Sequence, residues 1–166
     1  PEIILCVDIS EAALYQLEQS LLQSSKTKIL FIVADIKNEK RLSDLFSRFK
    51  PSVVFHAAAY KHVPLMETEN VSEVLMNNSK GTYIFSQICI LHKVKKFILV
   101  STDKAINPTN VMGASKRLAE NLCLNLQANN ETEFIIVRFG NVLGSSGSVI
   151  PLFKKQIEIG GPVTVT

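Results

Sequence analysis

The alternation of short, uninterrupted apolar runs with segments of helical periodicity constrains this fold more than any other feature. Strands are predicted over Ile3–Ile9, Lys28–Ala34, Pro51–Phe55, Lys96–Val100 and Glu133–Phe139. One helix is predicted from the apolar stripe Leu14, Leu17 and Leu21, and a second from the stripe Leu42, Leu45, Phe46 and Phe49. Three more helices are predicted over Val71–His92, Met112–Ala128 and Val149–Ile159. Strands that are apolar on both faces are typical of parallel sheets covered by helices. The sequence therefore predicts the α/β class, with a doubly wound parallel sheet.

Composition adds few constraints on function. The 166 residues suffice for one domain, which we assign to the whole chain. The net charge of +3 argues neither for nor against nucleic acid, but the sequence shows no basic face with interleaved aromatics, so we expect no nucleic-acid partner. The three cysteines, Cys6, Cys89 and Cys123, lack metal-type spacing, and we predict buried, reduced thiols and no metal site. Because no signal peptide or membrane-spanning run is present, we expect a cytoplasmic segment without membrane contact.

The two ends of the chain suggest a piece of a longer protein. It begins at Pro1 directly in a predicted strand and stops at Thr166 inside the strand-like run Pro162–Thr166. We expect a preceding strand that carries a glycine-rich phosphate loop, and a C-terminal substrate domain. The glycines Gly140, Gly144 and Gly147 only superficially imitate such a loop, since the fingerprint requires a complete βαβ context.

Two polar residues interrupt otherwise apolar helical stripes. Asn78 lies on the long predicted helix, and Lys116 lies on the helix that begins near Met112. A buried lysine loses several kcal/mol of hydration unless it is paired or reaches water. The alternatives are a lysine that snorkels to solvent and a hydrogen-bonded core asparagine.

Polar residues with acid–base potential follow the predicted strand Lys96–Val100. Ser101, Thr102, Asp103 and Lys104 come directly after it, at the edge where open α/β sheets bind ligands. Asp103 and Lys104 are expected to be extended, with diverging side chains. A solvated surface ion pair is the alternative.

Four motifs together resemble the CapD-type polysaccharide biosynthesis family, which contains nucleotide-sugar 4,6-dehydratases of the extended short-chain dehydrogenase/reductase class. They begin at Ser101 (STDKA, then NPTNVMGASKR), His56 (HAAAYKHVP), Asn77 (NN, then GT) and Arg138 (RFGNVLG). The resemblance covers essentially the whole chain. It implies a Rossmann-like domain that binds NAD and a UDP-sugar.

The resemblance also implies roles for individual residues. Lys104 would take the proton from carbon 5 of the sugar, Asp103 would protonate the departing 6-hydroxyl, and Lys116 would hold the nicotinamide ribose. Met112 occupies the place of the tyrosine found in most of this class, and its thioether has no proton to exchange. Thr102 and Asp103 are then the nearest candidates to deprotonate the 4-hydroxyl.

Further residues are candidates for cofactor or substrate binding. Asp8 ends the first predicted strand, where an acid hydrogen-bonds the adenine ribose and favours NAD over NADP; helix capping is the alternative. By resemblance, the cofactor side also includes Asp35, Ile36, Ala57, Ala58, Ala59, Lys61, Asn78 and Ser101, and the substrate side His62 and Asn141.

The sequence thus predicts NAD-dependent dehydration of a UDP-N-acetylhexosamine, with UDP-N-acetylglucosamine as the first choice, in the synthesis of a surface polysaccharide or glycan. An NAD-dependent nucleotide-sugar epimerase and a non-catalytic fragment are the alternatives. The parent protein could be anchored at the inner face of the membrane, and a homo-oligomer is also left open.

Overall fold

A computed structural model describes residues 2–21, 27–142 and 149–163 of the chain. Its strands are β1 (Ile3–Asp8), β2 (Lys28–Val33), β3 (Val53–His56), β4 (Lys96–Thr102) and β5 (Glu133–Phe139). Its α-helices are α1 (Glu11–Leu21), α2 (Glu39–Phe49), α3 (Val63–Met66), α4 (Val71–Val74), α5 (Thr82–Leu91), α6 (Val111–Gln127) and α7 (Val149–Glu158). Gly144, Gly147 and the last residues of the strand-like run, 164–166, lie outside the described residues.

All described strand pairs are parallel, as the apolar runs predict. β1 pairs with β2 in one sheet, and β3, β4 and β5 form a second sheet in that order. The strands of each sheet end at one carboxyl edge, because every crossover returns through a helix. This arrangement confirms the α/β, Rossmann-like class.

A single apolar core joins the two sheets. Ala34 beyond β2 and Leu42 of α2 belong to the same buried cluster as Phe97 and Leu99 of β4. The Phe97 ring lies 5.7, 5.8 and 5.2 Å from the rings of His56, Phe85 and Phe134, respectively. Aromatic contacts of this kind fix the helices against the sheet that carries the polar strand ends.

Asparagine and serine side chains set the starts of several helices. Ser10 accepts a hydrogen bond from the Ala13 amide at the start of α1, and Asn38 accepts one from Arg41 at the start of α2. Asn110 caps α6 by accepting from the Gly113 amide at 2.7 Å. Such caps satisfy backbone donors that a helix otherwise leaves without partners.

The long helix predicted over Val71–His92 contains a π-helical segment, Leu75–Gly81, between α4 and α5. The loop after β2 packs against this segment, since a side chain at Gly81 would meet Ile36 at 2.8 Å. Lys37 adds a polar link by donating to the Asn77 side chain. π-helical turns are frequent at functional sites, and this one carries Asn78.

The segment after β4 differs from the sequence-based prediction. β4 continues to Thr102, two residues beyond Val100, and Asp103–Ala105 then form a 3₁₀ turn capped by the Thr102 hydroxyl, which accepts from the Lys104 amide. The expectation of extended, diverging Asp103 and Lys104 side chains is wrong, because the turn brings Lys104 Nζ to 3.2 Å from Asp103 Oδ1.

The 3₁₀ turn rests directly on the first turn of α6. A Cβ atom at Gly113 would lie 2.5 Å from the carbonyl oxygen of Lys104 and 3.2 Å from its carbonyl carbon. Only a glycine allows this separation, because backbone atoms cannot move aside as a side chain can. The position of Lys104 therefore depends on a residue of the next helix.

We expect Gly113→Ala to lower the free energy of unfolding by about 1–3 kcal/mol, since the clash outweighs the gain in helix propensity of about 1 kcal/mol. Urea denaturation measures the change. Gly140→Ala is the matched control, because its Cβ would meet only Asp103 Oδ2, at an ordinary 3.6 Å. Equal stability of the Gly113 variant and the unmodified protein would contradict the close packing of turn and helix.

Candidate active site

A cavity of about 360 Å³ opens at the carboxyl edge of the β3–β4–β5 sheet. It lies between the ends of these strands and the start of α6, where the topology predicts a ligand site. Fifteen residues line it: Ala57, Ala59, Tyr60, Lys61, His62, Val100, Ser101, Thr102, Lys104, Met112, Lys116, Phe139, Gly140, Asn141 and Val142. Ten of the candidate catalytic and binding residues predicted from the sequence are among these fifteen.

Lys116 is held inside the protein rather than snorkelling to water. Lys116 is only 4% exposed, and its Nζ donates a hydrogen bond of 2.7 Å to the carbonyl oxygen of Val100. Burial lowers the pKa of Lys116 to about 8, while Cys123 and Glu120 act in the opposite direction. A lysine that is fixed at the cavity wall and still mostly protonated at neutral pH is suited to bind a polar ligand.

Thr102, Asp103 and Lys104 form a connected polar group at the mouth of the cavity. The Thr102 hydroxyl donates to Asp103 Oδ1 at 2.9 Å, and Lys104 Nζ donates to the same oxygen at 3.2 Å. These hydrogen bonds, Thr102 first and Lys104 second, lower the pKa of the Asp103 carboxyl. Asp103 itself lies outside the cavity lining, with 53% of its side chain exposed.

Asn78 is fully buried behind the cavity and is satisfied by hydrogen bonds. Its side chain accepts from the Tyr60 amide at 2.8 Å and donates to the Tyr60 carbonyl at 2.9 Å and to the Ser115 hydroxyl at 3.0 Å. It thereby fastens the loop after β3 to α6. This arrangement agrees with the alternative of a hydrogen-bonded core asparagine.

The structure adds a buried ion pair that the sequence reading missed. Glu120 is 1% exposed, and its carboxylate accepts two hydrogen bonds from Arg138, at 2.9 Å from Nε and 2.6 Å from Nη2. Arg117 donates a third, at 3.3 Å. The sequence did carry a sign of this pair, because Glu120 is a charged residue one helical turn after Lys116 on the inward face of the same helix.

His56 is a second buried polar group that the sequence reading did not assign. Burial and the nearby Lys116 lower its pKa to about 3, so the imidazole is neutral. The Thr82 hydroxyl donates to the Asn78 carbonyl at 2.6 Å, which leaves its oxygen to accept from His56 Nε2 at 2.8 Å. The proton therefore lies on Nε2, and His56 acts as a support beneath the cavity floor.

The residues predicted for the adenine side lie at the carboxyl edge of the other sheet, outside the cavity lining. Asp8 Oδ1 accepts from the Ser10 amide in the turn before α1, while the Ser10 hydroxyl rather than Asp8 caps the helix. Asp35 accepts from the Lys37 amide and forms an ion pair with its ammonium at 3.0 Å. The backbones of Asp8 and Ala34 are hydrogen-bonded, so Asp8 and Asp35 share one edge.

Within residues 2–21, 27–142 and 149–163, histidine, cysteine and carboxylate side chains form no group of three or more that could hold a metal ion. None of the helices in the same ranges is both long and apolar enough to cross a membrane. Cys89 and Cys123 are buried free thiols, and Cys6 is partly buried.

Known proteins resemble this chain over its full length. The capsular polysaccharide biosynthesis protein CapD of Staphylococcus aureus is 49% identical, over 100% of this chain and 28% of its own length. A UDP-N-acetylglucosamine 4,6-dehydratase (inverting) of Campylobacter jejuni is 40% identical, over 95% of this chain and 48% of its own length. The chain thus spans between about a quarter and a half of these relatives.

Solved structures give the same result. The X-ray structure of Pen from Bacillus thuringiensis matches with a TM-score of 0.89 and 38% identity, over 100% of this chain and 51% of that chain. A UDP-glucuronic acid 4-epimerase from Bacillus cereus, in complex with NAD, matches with a TM-score of 0.79 and 25% identity, over 97% of this chain and 57% of that one. The matched proteins thus include both a dehydratase and an epimerase that act on nucleotide sugars.

The family model described as "Polysaccharide biosynthesis protein" matches residues 1–166. This match confirms the resemblance seen in the motifs around His56, Asn77, Ser101 and Arg138. The chain belongs to the polysaccharide biosynthesis protein family.

Proposed function

We propose that this chain forms the NAD-binding and acid–base part of an enzyme that removes water from a UDP-N-acetylhexosamine, with UDP-N-acetylglucosamine as the preferred substrate. One observation carries the proposal: Lys104 and Lys116 line the same cavity, and the Thr102 hydroxyl at its mouth is hydrogen-bonded to Asp103. In the proposal these groups supply a base and a ribose-binding lysine in the cavity and an acid at its mouth. The product is the 4-keto-6-deoxy sugar nucleotide.

The cavity residues fit a nicotinamide cofactor. Ala57 and Ala59 at the end of β3 present little side chain, so a ligand can approach the backbone closely. The Ser101 hydroxyl is buried at the cavity wall without a hydrogen bond of standard length among the described residues. We assign the nicotinamide ribose to Lys116 and Ser101, and the adenosine to the edge formed by Asp8, Asp35 and Ile36.

When bound, NAD supplies the chemistry of accepting hydride from carbon 4 of the sugar and returning it at carbon 6. The chain's own residues move the protons. The sugar 4-hydroxyl passes its proton to Thr102 Oγ1, whose own proton moves along the existing hydrogen bond to Asp103 Oδ1. Asp103 then holds the proton that the next step requires.

Elimination uses the two neighbours on the 3₁₀ turn. Lys104 Nζ, which starts as the ammonium partner of Asp103, first releases a proton to solvent. It then removes the proton from carbon 5, which the 4-ketone has made acidic. Asp103 delivers its proton to the 6-hydroxyl, so that the C6–O bond breaks and water departs. The Lys104 ammonium returns its proton to carbon 5 once carbon 6 has received hydride. Lys104 then regains a proton from solvent, so each side chain ends in its starting protonation state and one water has been removed.

In this scheme Met112 shapes the cavity and takes no part in proton transfer. It is 5% exposed and lies one turn before Lys116 on the same face of α6. Thr102 replaces the tyrosine of the wider class because its hydroxyl already has an acceptor at 2.9 Å. This arrangement separates the proposed enzyme from members of the class that depend on a phenolate.

A nucleotide-sugar epimerase is the second candidate, since an epimerase of this kind has the same fold at 25% identity. Epimerisation needs hydride transfer at carbon 4 but no proton removal at carbon 5 and no acid at carbon 6. The Asp103–Lys104 pair would then have no chemical task. For this reason we favour dehydration.

Lys104→Met, tested in the intact protein that contains this chain, is expected to lower turnover of UDP-N-acetylglucosamine by a factor on the order of 10²–10⁴, the usual contribution of a positioned general base. Mass spectrometry follows the product that has lost one water. Lys96→Met is the matched control, since Lys96 is an exposed lysine paired with Glu133 far from the cavity. Unchanged turnover in the Lys104 variant would remove this residue from the mechanism.

Thr102→Val and Met112→Leu test whether the 4-hydroxyl step depends on the Thr102 hydroxyl rather than on the residue at position 112. We expect Thr102→Val to reduce turnover by roughly 100-fold or more, because the path to Asp103 is lost. Thr102→Ser keeps the hydroxyl and should restore most of the activity. Met112→Leu conserves volume and should change turnover by less than about tenfold. A severe loss in the Met112 variant with a mild one in Thr102→Val would contradict the role assigned to Thr102.

A further inference from the structure

We infer that Glu120 is a positioning residue for Lys116: its buried carboxylate ties α6 to the end of β5 and places a negative charge one helical turn from the lysine on the same helix. No part of the proposed proton transfers uses Glu120. The inference deepens the proposed function. It rests on that function only in that the proposal makes Lys116 the residue that binds the nicotinamide ribose.

The geometry makes Glu120 a link between three elements of the cavity. Its two hydrogen bonds to Arg138 join α6 to β5, and Arg138 is paired in register with Ser101 of β4. The residues that follow Arg138, from Phe139 to Val142, line the cavity. A carboxylate at this position therefore fixes the helix that carries Lys116 against the strand ends that face it.

Burial explains why the pair is bidentate. A carboxylate with 1% exposure loses its hydration, and Arg138 offers the planar, two-bond geometry that compensates for that loss. Arg117, with 43% of its side chain exposed, adds a weaker contact. The Ser101 hydroxyl lies close enough to help Arg138 lower the pKa of Glu120, although it makes no hydrogen bond of standard length. Glu120 is therefore charged at neutral pH.

The Glu120 carboxylate acts on the protonation of Lys116 together with the other groups around that lysine. Glu120 and Cys123 face Lys116 from its own helix, and both favour the ammonium form. His56 faces it from β3 and is neutral, Lys61 and Lys104 line the same cavity, and Arg138 of β5 is paired with Glu120. A cysteine thiol is protonated at neutral pH, so Cys123 carries no charge there. Glu120 is therefore the carboxylate among the described residues that offsets the desolvation of Lys116.

The test measures the titration of Lys116 directly. In protein containing isotope-labelled lysine, NMR follows the ε-methylene resonance of Lys116 with pH, assigned by its loss in Lys116→Arg. We expect Glu120→Gln to lower the titration midpoint by about 0.5 pH unit or more, because loss of a nearby opposite charge favours the neutral amine. Glu133→Gln, the control at an exposed ion pair, should leave the midpoint unchanged.

Glu120→Asp separates charge from packing and covers the case in which the glutamine variant does not fold. The aspartate keeps the charge but is too short for both Arg138 bonds, so the melting temperature should fall while the Lys116 midpoint stays near that of the unmodified protein. A purely structural Glu120 would change melting temperatures without moving the midpoint in Glu120→Gln. That result, or a downward shift in Glu120→Asp, would overturn the inference. Neither the titration midpoint nor the melting temperature requires bound cofactor or turnover. Loss of the proposed dehydratase activity would therefore be a separate finding.

Discussion

The bond from Lys116 Nζ to the Val100 carbonyl is the contact on which the site depends, because it joins α6, which brings Met112 and Lys116 to the cavity, to β4, the central strand of the β3–β4–β5 sheet. It places a cation at 2.7 Å from a backbone oxygen in a buried environment, where such a bond is strong and its loss costly. Asn78 and Glu120 complete the attachment of α6 on its two sides. Asn78 binds the loop after β3, and Glu120 binds the end of β5.

This attachment also fixes the position of the segment that follows β4. The segment after β4 is a 3₁₀ turn, and its position is set by the Thr102 cap and by close packing on Gly113. Because the turn carries both Asp103 and Lys104, any displacement of α6 also displaces the groups that we assign to elimination. The acid–base pair and the ribose-binding lysine are therefore parts of one mechanical unit.

The sequence predicts much of this arrangement because its signals are local. Strands that are apolar on both faces define the parallel sheet, and polar residues within apolar stripes identify Asn78 and Lys116. The 3₁₀ turn could not be predicted in the same way, because it depends on a contact with Gly113 in the next helix. Glu120 was missed because its partner Arg138 is 18 residues away on another element, and only the fold brings them together. The adenine-side assignments, Asp8 and Asp35, stay predictions: both are engaged in local hydrogen bonds outside the cavity.

The most direct test of the account follows one hydrogen atom. The intact protein containing this chain is incubated with NAD and UDP-N-acetylglucosamine that carries deuterium at carbon 4, and the product is analysed by mass spectrometry and NMR. We predict a product that has lost one water and carries the deuterium at carbon 6. A product of unchanged mass with the deuterium still at carbon 4 would show epimerisation and contradict the roles assigned to Asp103 and Lys104.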